Sequence, residues 1–83
     1  MAILAAVADI RIKSVHIDDD RLSVELIDGR AISVPLLWYH RLANATPTQR
    51  QAYEVAGGGY GIHWPELDED LSVEGLLRGA RSV

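Results

Sequence analysis

The chain contains no cysteine. Disulfides, thiolate metal ligands and a thiol nucleophile are excluded together. It contains no phenylalanine either, and only Trp38 and Trp64 serve as large apolar anchors, so any core must be built mainly from Ile, Leu, Val and Ala. Cationic side chains are scarce, with 8 Lys and Arg against 12 Asp and Glu and a formal net charge of -4. Counterion release from a phosphate backbone needs clustered Lys and Arg, so direct binding of nucleic acid is not expected. Long hydrophobic runs are also missing. The opening "MAILAAVA" has no basic n-region, no full h-region and no clear cleavage site, and it is far too short to cross a bilayer. A cytoplasmic protein without a membrane partner is the expectation.

What is present is a short chain of 83 residues, 48% of them hydrophobic. It is expected to form one domain over residues 1–83. A chain of this size buries only about 60–65% of the surface it exposes when unfolded, so each core position matters.

Val15 and Ile17 alternate with polar neighbours, while Ile10 and Ile12 alternate in the opposite phase. A bulge or strand start near Ser14 follows. In "RLSVELIDGRAISVPL", Leu22, Val24 and Leu26 alternate with polar residues, Asp28-Gly29 intervenes, and Ile32 and Val34 alternate again. This pattern predicts a hairpin. A two-residue loop would put the two apolar rows on opposite faces. A three-residue loop, Ile27-Asp28-Gly29 with Gly29 left-handed, pairs Val24 with Ile32 and Leu22 with Val34 on one face, and it is the register chosen.

After Pro35 the period changes. Trp38 and Leu42 are four apart, as are Leu37 and Arg41, which predicts a short helix ending near Asn44. Thr46-Pro47-Thr48-Gln49 fits a capping box, and the helix it starts is expected to run to about Ala56, with Gly57 as its C-cap. Gly58, Gly59 and Gly61 then turn the chain into a short strand, "GIHW", stopped by Pro65. Asp70 or Ser72 caps a last helix with an apolar stripe of Val73, Leu76 and Leu77, a Glu74 to Arg78 pair, and Gly79 at its end. The expected fold is α+β. A small antiparallel or mixed sheet, three N-terminal strands plus a short strand near 61–64, is covered on one face by short helices.

Several chemistries were tested against these positions. A phosphate-cradling glycine loop leaves a strand and enters a helix, and here the order is read as reversed. The carboxylates Glu66, Asp68, Glu69 and Asp70 lack the spacing of a calcium loop and suit the dipole of the following helix. No metal site and no cofactor is expected. His16, His40 and His63 could each act as a base, but no serine sits in a nucleophile elbow and no paired-histidine motif occurs. One candidate base, His63, does not make a mechanism, so the chain is expected not to be an enzyme.

The aromatic and arginine positions point elsewhere. "WYHRL" and "YGIHW" gather Trp38, Tyr39, Arg41, Tyr60, His63 and Trp64, residue types enriched where proteins meet. These six form the expected partner-binding set, with Trp38 and Trp64 as a partly buried floor. The expected partner is another small protein or a second copy of this chain. A homo-oligomeric ligand-sensing or structural domain is the alternative.

The landmarks Asp28-Gly29, Val34-Pro35-Leu36, Thr46-Pro47, Gln49-Arg50, Gly61-Ile62-His63-Trp64-Pro65 and Asp68-Glu69-Asp70-Leu71 resemble the bacterial family of domain of unknown function 2442, over about Asp9 to Gly79. His40 and Tyr53 stand where relatives often have proline and tryptophan. The resemblance implies a small α+β fold with no established enzyme activity. Some relatives add a helix-turn-helix domain, for which this chain is too short. Members are often encoded beside another small protein, and such pairs have been proposed as toxin and antitoxin, so the resemblance implies an antitoxin-like role.

Overall fold

The computed structural model describes residues 8–81. The apolar opening segment, residues 1–7, lies outside the described residues, as do residues 82–83.

Three strands come first, β1 (Ile12–Ile17), β2 (Arg21–Leu26) and β3 (Ala31–Pro35), in an antiparallel sheet of that order. The β1 register slips between Ile12 and Ser14, where the sequence changes phase, and the bulge puts Val15 and Ile17 on the same face as their partners Val24 and Leu22. In the β2–β3 hairpin Val24 faces Ile32 and Leu22 faces Val34. Gly29 has φ 97°, and its N–H donates to the carbonyl of Leu26 at 3.0 Å. The three-residue loop therefore closes as expected. It does so because this register is the one that puts both apolar rows on one face.

A single 3-10 turn (Leu36–Trp38) leads to α1 (His40–Ala43), and α2 (Pro47–Gln51) follows. The capping box is complete: the Gln49 N–H donates to Thr46 Oγ1 at 3.1 Å, and the Thr46 N–H donates to Gln49 Oε1 at 3.0 Å. Here the structure departs from expectation. The second helix ends at Gln51, and Glu54–Ala56 form a strand, β4, that pairs with β5 (Gly61–Trp64). The glycines thus close a strand-to-strand hairpin instead of capping a helix. Gly57, Gly58 and Gly59 all have positive φ, at 62°, 69° and 100°. The segment's Ala and Glu favour helix, but Tyr53 and Val55 fit a pleated surface, and pairing with β5 decides between them.

A further strand was also unforeseen. Glu69–Ser72 form β6, which pairs with the other side of β5. The short strand near 61–64 is therefore real, but it is the centre of a second antiparallel sheet of order β4-β5-β6 and not a fourth strand of the first. Ser72 caps α3 (Val73–Arg78) by accepting from the Gly75 N–H at 2.9 Å, and Gly79 ends the helix left-handed. The α+β class holds, with two small sheets and three short helices among the described residues.

One core joins the two sheets. Leu22, Val24 and Leu26 of the first sheet pack with Leu42, Ile62, Trp64 and Val73, all essentially without solvent exposure. Polar bonds reinforce the junction, because buried or half-buried polar groups must find partners. The Trp64 indole N–H donates to the Arg50 carbonyl at 2.9 Å, Gln51 Nε2 donates to the Ile17 carbonyl at 2.9 Å, and the Tyr53 hydroxyl reaches the Val15 carbonyl at 3.4 Å. Arg50 itself donates to the carbonyls of Leu42 and Ala43 at 2.8 and 2.9 Å, satisfying the open end of α1.

Candidate partner-binding surface

The backbone around α1 decides which of the six expected contact residues face outward. Between the 3-10 turn and α1, Tyr39 adopts an extended conformation (φ -129°, ψ 100°). That kink turns its ring inward. Tyr39 is 2% exposed, and its hydroxyl donates to the Ala80 carbonyl at 3.0 Å. Burial raises the Tyr39 pKa above its ordinary value, with the nearby Glu69 charge acting in the same direction. Trp64 is wholly buried. Its strand alternates Ile62 and Trp64 inward with His63 outward, and a core without phenylalanine takes its largest ring. The expectation that Tyr39 and Trp64 contact a partner is thereby corrected: both are core residues.

The other four remain accessible to different degrees. Trp38 is half-buried, with the Arg81 guanidinium stacked 3.9 Å above its ring. Arg41, exposed on α1, donates to the Asp68 carbonyl and lies 4.0 Å from the Asp68 carboxylate. Asp68 is left-handed (φ 50°) in the turn that starts β6, so Arg41 ties α1 to that turn. His63 faces Asp70 across the β5–β6 ladder, with Nδ1 2.7 Å from the carboxylate. Glu54 faces His63 from the other side. A carboxylate only accepts, so Nδ1 carries the hydrogen of this bond.

Tyr60 sits apart from these. It precedes β5 at the opposite end of the hairpin, its carbonyl accepts from the Val73 N–H at 2.9 Å, and its ring is half exposed. Gly59 beside it approaches Arg11 so closely that a Cβ there would lie 3.2 Å from the Arg11 Cβ. The structure thus brings Arg41, Asp68, His63 and Asp70 to one end of the β5–β6 ladder, and leaves Tyr60 about 10 Å away along the strand at roughly 3.3 Å per residue. The residues of the single patch expected from sequence thus stand in two groups, one where α1 meets the β5–β6 ladder and one at the start of β5.

Sequence reasoning also missed two exposed apolar residues. Leu37 is 83% exposed in the 3-10 turn, and Val55, on the Ile62 face of the second sheet and so opposite to His63, is 48% exposed. Had β4 been recognised as a strand, alternation would have placed Val55 at that edge. Leu77, read as part of the α3 stripe, is 43% exposed, while Val73 and Leu76 of that stripe are buried. Among the described residues no group of His, Asp and Glu is arranged to hold a metal ion, and no helix is long and apolar enough to cross a membrane.

Comparison with known proteins adds a family. The model of the family described as protein of unknown function (DUF2442) matches residues 12–82. A crystal structure of a protein of unknown function from Rhodospirillum rubrum is similar at 35% identity and a TM-score of 0.77, over 88% of this chain and 90% of that one. A solution structure of an uncharacterised protein from Chromobacterium violaceum is similar at 27% identity and a TM-score of 0.73, over 88% of this chain and 69% of that one. No curated protein matches the chain.

Proposed function

This chain belongs to the DUF2442 family, and from that premise we propose that it is a protein-interaction module without catalytic activity, working in the cytoplasm on another small protein. Tyr60 carries the reading. Every other aromatic side chain is used by the fold: Tyr39 and Trp64 are buried, Tyr53 is tied to β1 and packs 6.3 Å from Trp64, and Trp38 lies under Arg81. Tyr60 is half exposed at the start of β5, and its hydroxyl makes no hydrogen bond among the described residues. A large ring with a polar handle in such a setting is a typical interface anchor. Arg41, His63 and Trp38 supply the surrounding contacts.

An antitoxin-like role is one form of this reading and rests on the family resemblance. Purification of the tagged chain from native cells is expected to retain a small partner protein. The Tyr60→Ala variant should bind that partner more weakly by about 1–3 kcal/mol, measured by calorimetry, with an unchanged melting temperature. Sedimentation separates the homo-oligomer alternative: a self-associated chain with no partner, unaffected by Tyr60→Ala, would overturn the proposal.

A further inference from the structure

The second sheet has a free edge of a particular kind. Among the described residues β6 pairs with β5 alone, and beside it lies a groove of about 260 Å³ whose lining includes Tyr39, Glu69, Leu71, Leu76 and Arg81. One wall is the strand and the other is α3, so the groove runs where an added strand would lie. The remaining edges are less suited. β1 is interrupted by its bulge, β3 ends in Pro35, and β4 has 3 residues. Bulges and prolines are usual means of blunting an edge, and β6, at 4 residues, has neither.

Charge selects the occupant. From Trp64 to Leu77 the chain carries five carboxylates, Glu66, Asp68, Glu69, Asp70 and Glu74, and no cationic side chain. Arg41 offsets Asp68, and Arg78 offsets Glu74 at 3.5 Å, whereas Glu66 and Glu69 make no ion pair among the described residues. Two copies of this edge would repel each other. We infer that the groove between β6 and α3 receives an extended, basic segment of a partner protein, which adds to the second sheet as a further strand. The inference rests on the interaction-module reading and gives the chemistry of the partner.

Main-chain bonds to β6 supply the attraction, Leu71 and Leu76 offer an apolar floor, and the carboxylates choose lysine- or arginine-bearing segments over neutral or acidic ones. The Arg81 guanidinium, the cation of the lining among the described residues, is held over the Trp38 ring at 3.9 Å.

The probe is a short synthetic peptide of alternating lysine and valine, titrated into the isotope-labelled chain and followed by amide chemical shifts at low salt. Shifts are expected over Glu69–Ser72 and α3, weakening as salt rises. Methylating alternate backbone nitrogens of the peptide should abolish them, and a glutamate-for-lysine peptide should give none. Glu69→Lys should weaken binding about fivefold or more, and Glu66→Lys, on the exposed turn outside the groove, should act in the same direction if Glu69→Lys disturbs the fold. Absence of shifts at millimolar peptide, shifts centred elsewhere, or equal binding of the methylated peptide would overturn the inference. A native partner that still binds the Glu69→Lys chain but not the Tyr60→Ala chain would remove strand addition and leave the module standing. A chain that retains no partner at all while binding the peptide at β6 would do the reverse.

Discussion

Tyr39 shows how one residue is misread from pattern and what then fixes it. In sequence it stands between Trp38 and His40 at a helix start, where an aromatic with a polar tip suits a surface. In the fold, its extended backbone breaks the helical period and sends the ring into the core, with the hydroxyl bonded to Ala80 beyond α3. Two substitutions separate packing from polarity. Tyr39→Phe should cost about 0.5–1.5 kcal/mol in urea unfolding, because it removes one bond and leaves the Ala80 carbonyl able to reach water. Tyr39→Ala should cost about 3–5 kcal/mol. Three carboxylates in turns give a second prediction at this scale. Hydrogen bonds from the Arg11 side chain and backbone hold Asp9 down to about 2, and Asp28 and Asp18 are lowered by bonds from Arg30 and from the Asp20 and Arg21 N–H groups. A folded pKa below the unfolded one means stability fully present above about pH 4 and lost as pH falls toward about 2. The melting temperature should therefore drop across that window, and the combined Asp9→Asn and Asp28→Asn variant should show a shallower drop.

At the scale of elements, what the sequence revealed depended on whether the signal was local. The β2–β3 register, the β1 bulge, the capping box and the α3 caps were legible, because alternation, Asp28-Gly29, Thr46-Pro47 and Ser72 each act within a few residues. β4 and β6 were not. Their identity comes from β5, which pairs with both, and neither "EVA" nor "EDLS" carries enough alternation to show it alone. The candidate surface inherited that gap. Arg41, Tyr60 and His63 were singled out as residue types, but Asp68 and Asp70 were read as helix-dipole charges and not as the turn partner of Arg41 and the ladder partner of His63. The Gly57–Gly59 corner gives the element-scale test. The sequence pattern places it after a helix, and in the fold it closes the β4–β5 hairpin with positive φ at each position. Gly59→Val combines a disfavoured left-handed backbone with a 3.2 Å approach to Arg11, whereas a Cβ at Gly58 meets nothing within 4 Å. Gly59→Val should lower stability by more than about 1–2 kcal/mol. Gly58→Asn, which tolerates the left-handed region, should cost less. Equal losses in chemical denaturation would show that contact with Arg11 plays no part.

At the scale of the molecule, two three-stranded sheets of this size would each be marginal alone, since small sheets need a packed apolar face for stability. They are held as one unit by the segment between them. α2 lies next to no fully buried side chain of its own, yet Arg50 and Gln51 bond to α1 and β1, and the Arg50 carbonyl receives the Trp64 indole. The Arg50 side chain is only 11% exposed, so its bonds to the Leu42 and Ala43 carbonyls are made largely out of water. Its ion pair with the exposed Asp19 at 3.5 Å adds little. Arg50→Met keeps most of the stem volume and removes the donors, taking the Arg50 bond from the Ala43 carbonyl and leaving the Leu42 carbonyl with the Ala45 N–H, and it should cost about 1–3 kcal/mol. The stronger expectation concerns cooperativity. With Arg50 in place, tryptophan emission, dominated by loss of the buried Trp64 environment, and far-ultraviolet circular dichroism should give coincident denaturation curves. In Arg50→Met the two curves should separate, the emission change coming first, because the second sheet loses its tie to α1 while the β1–β2–β3 meander keeps its own ladder. Curves that remain coincident at lower denaturant would show that the shared core of Leu42, Ile62 and Trp64, and not the Arg50 bonds, couples the sheets.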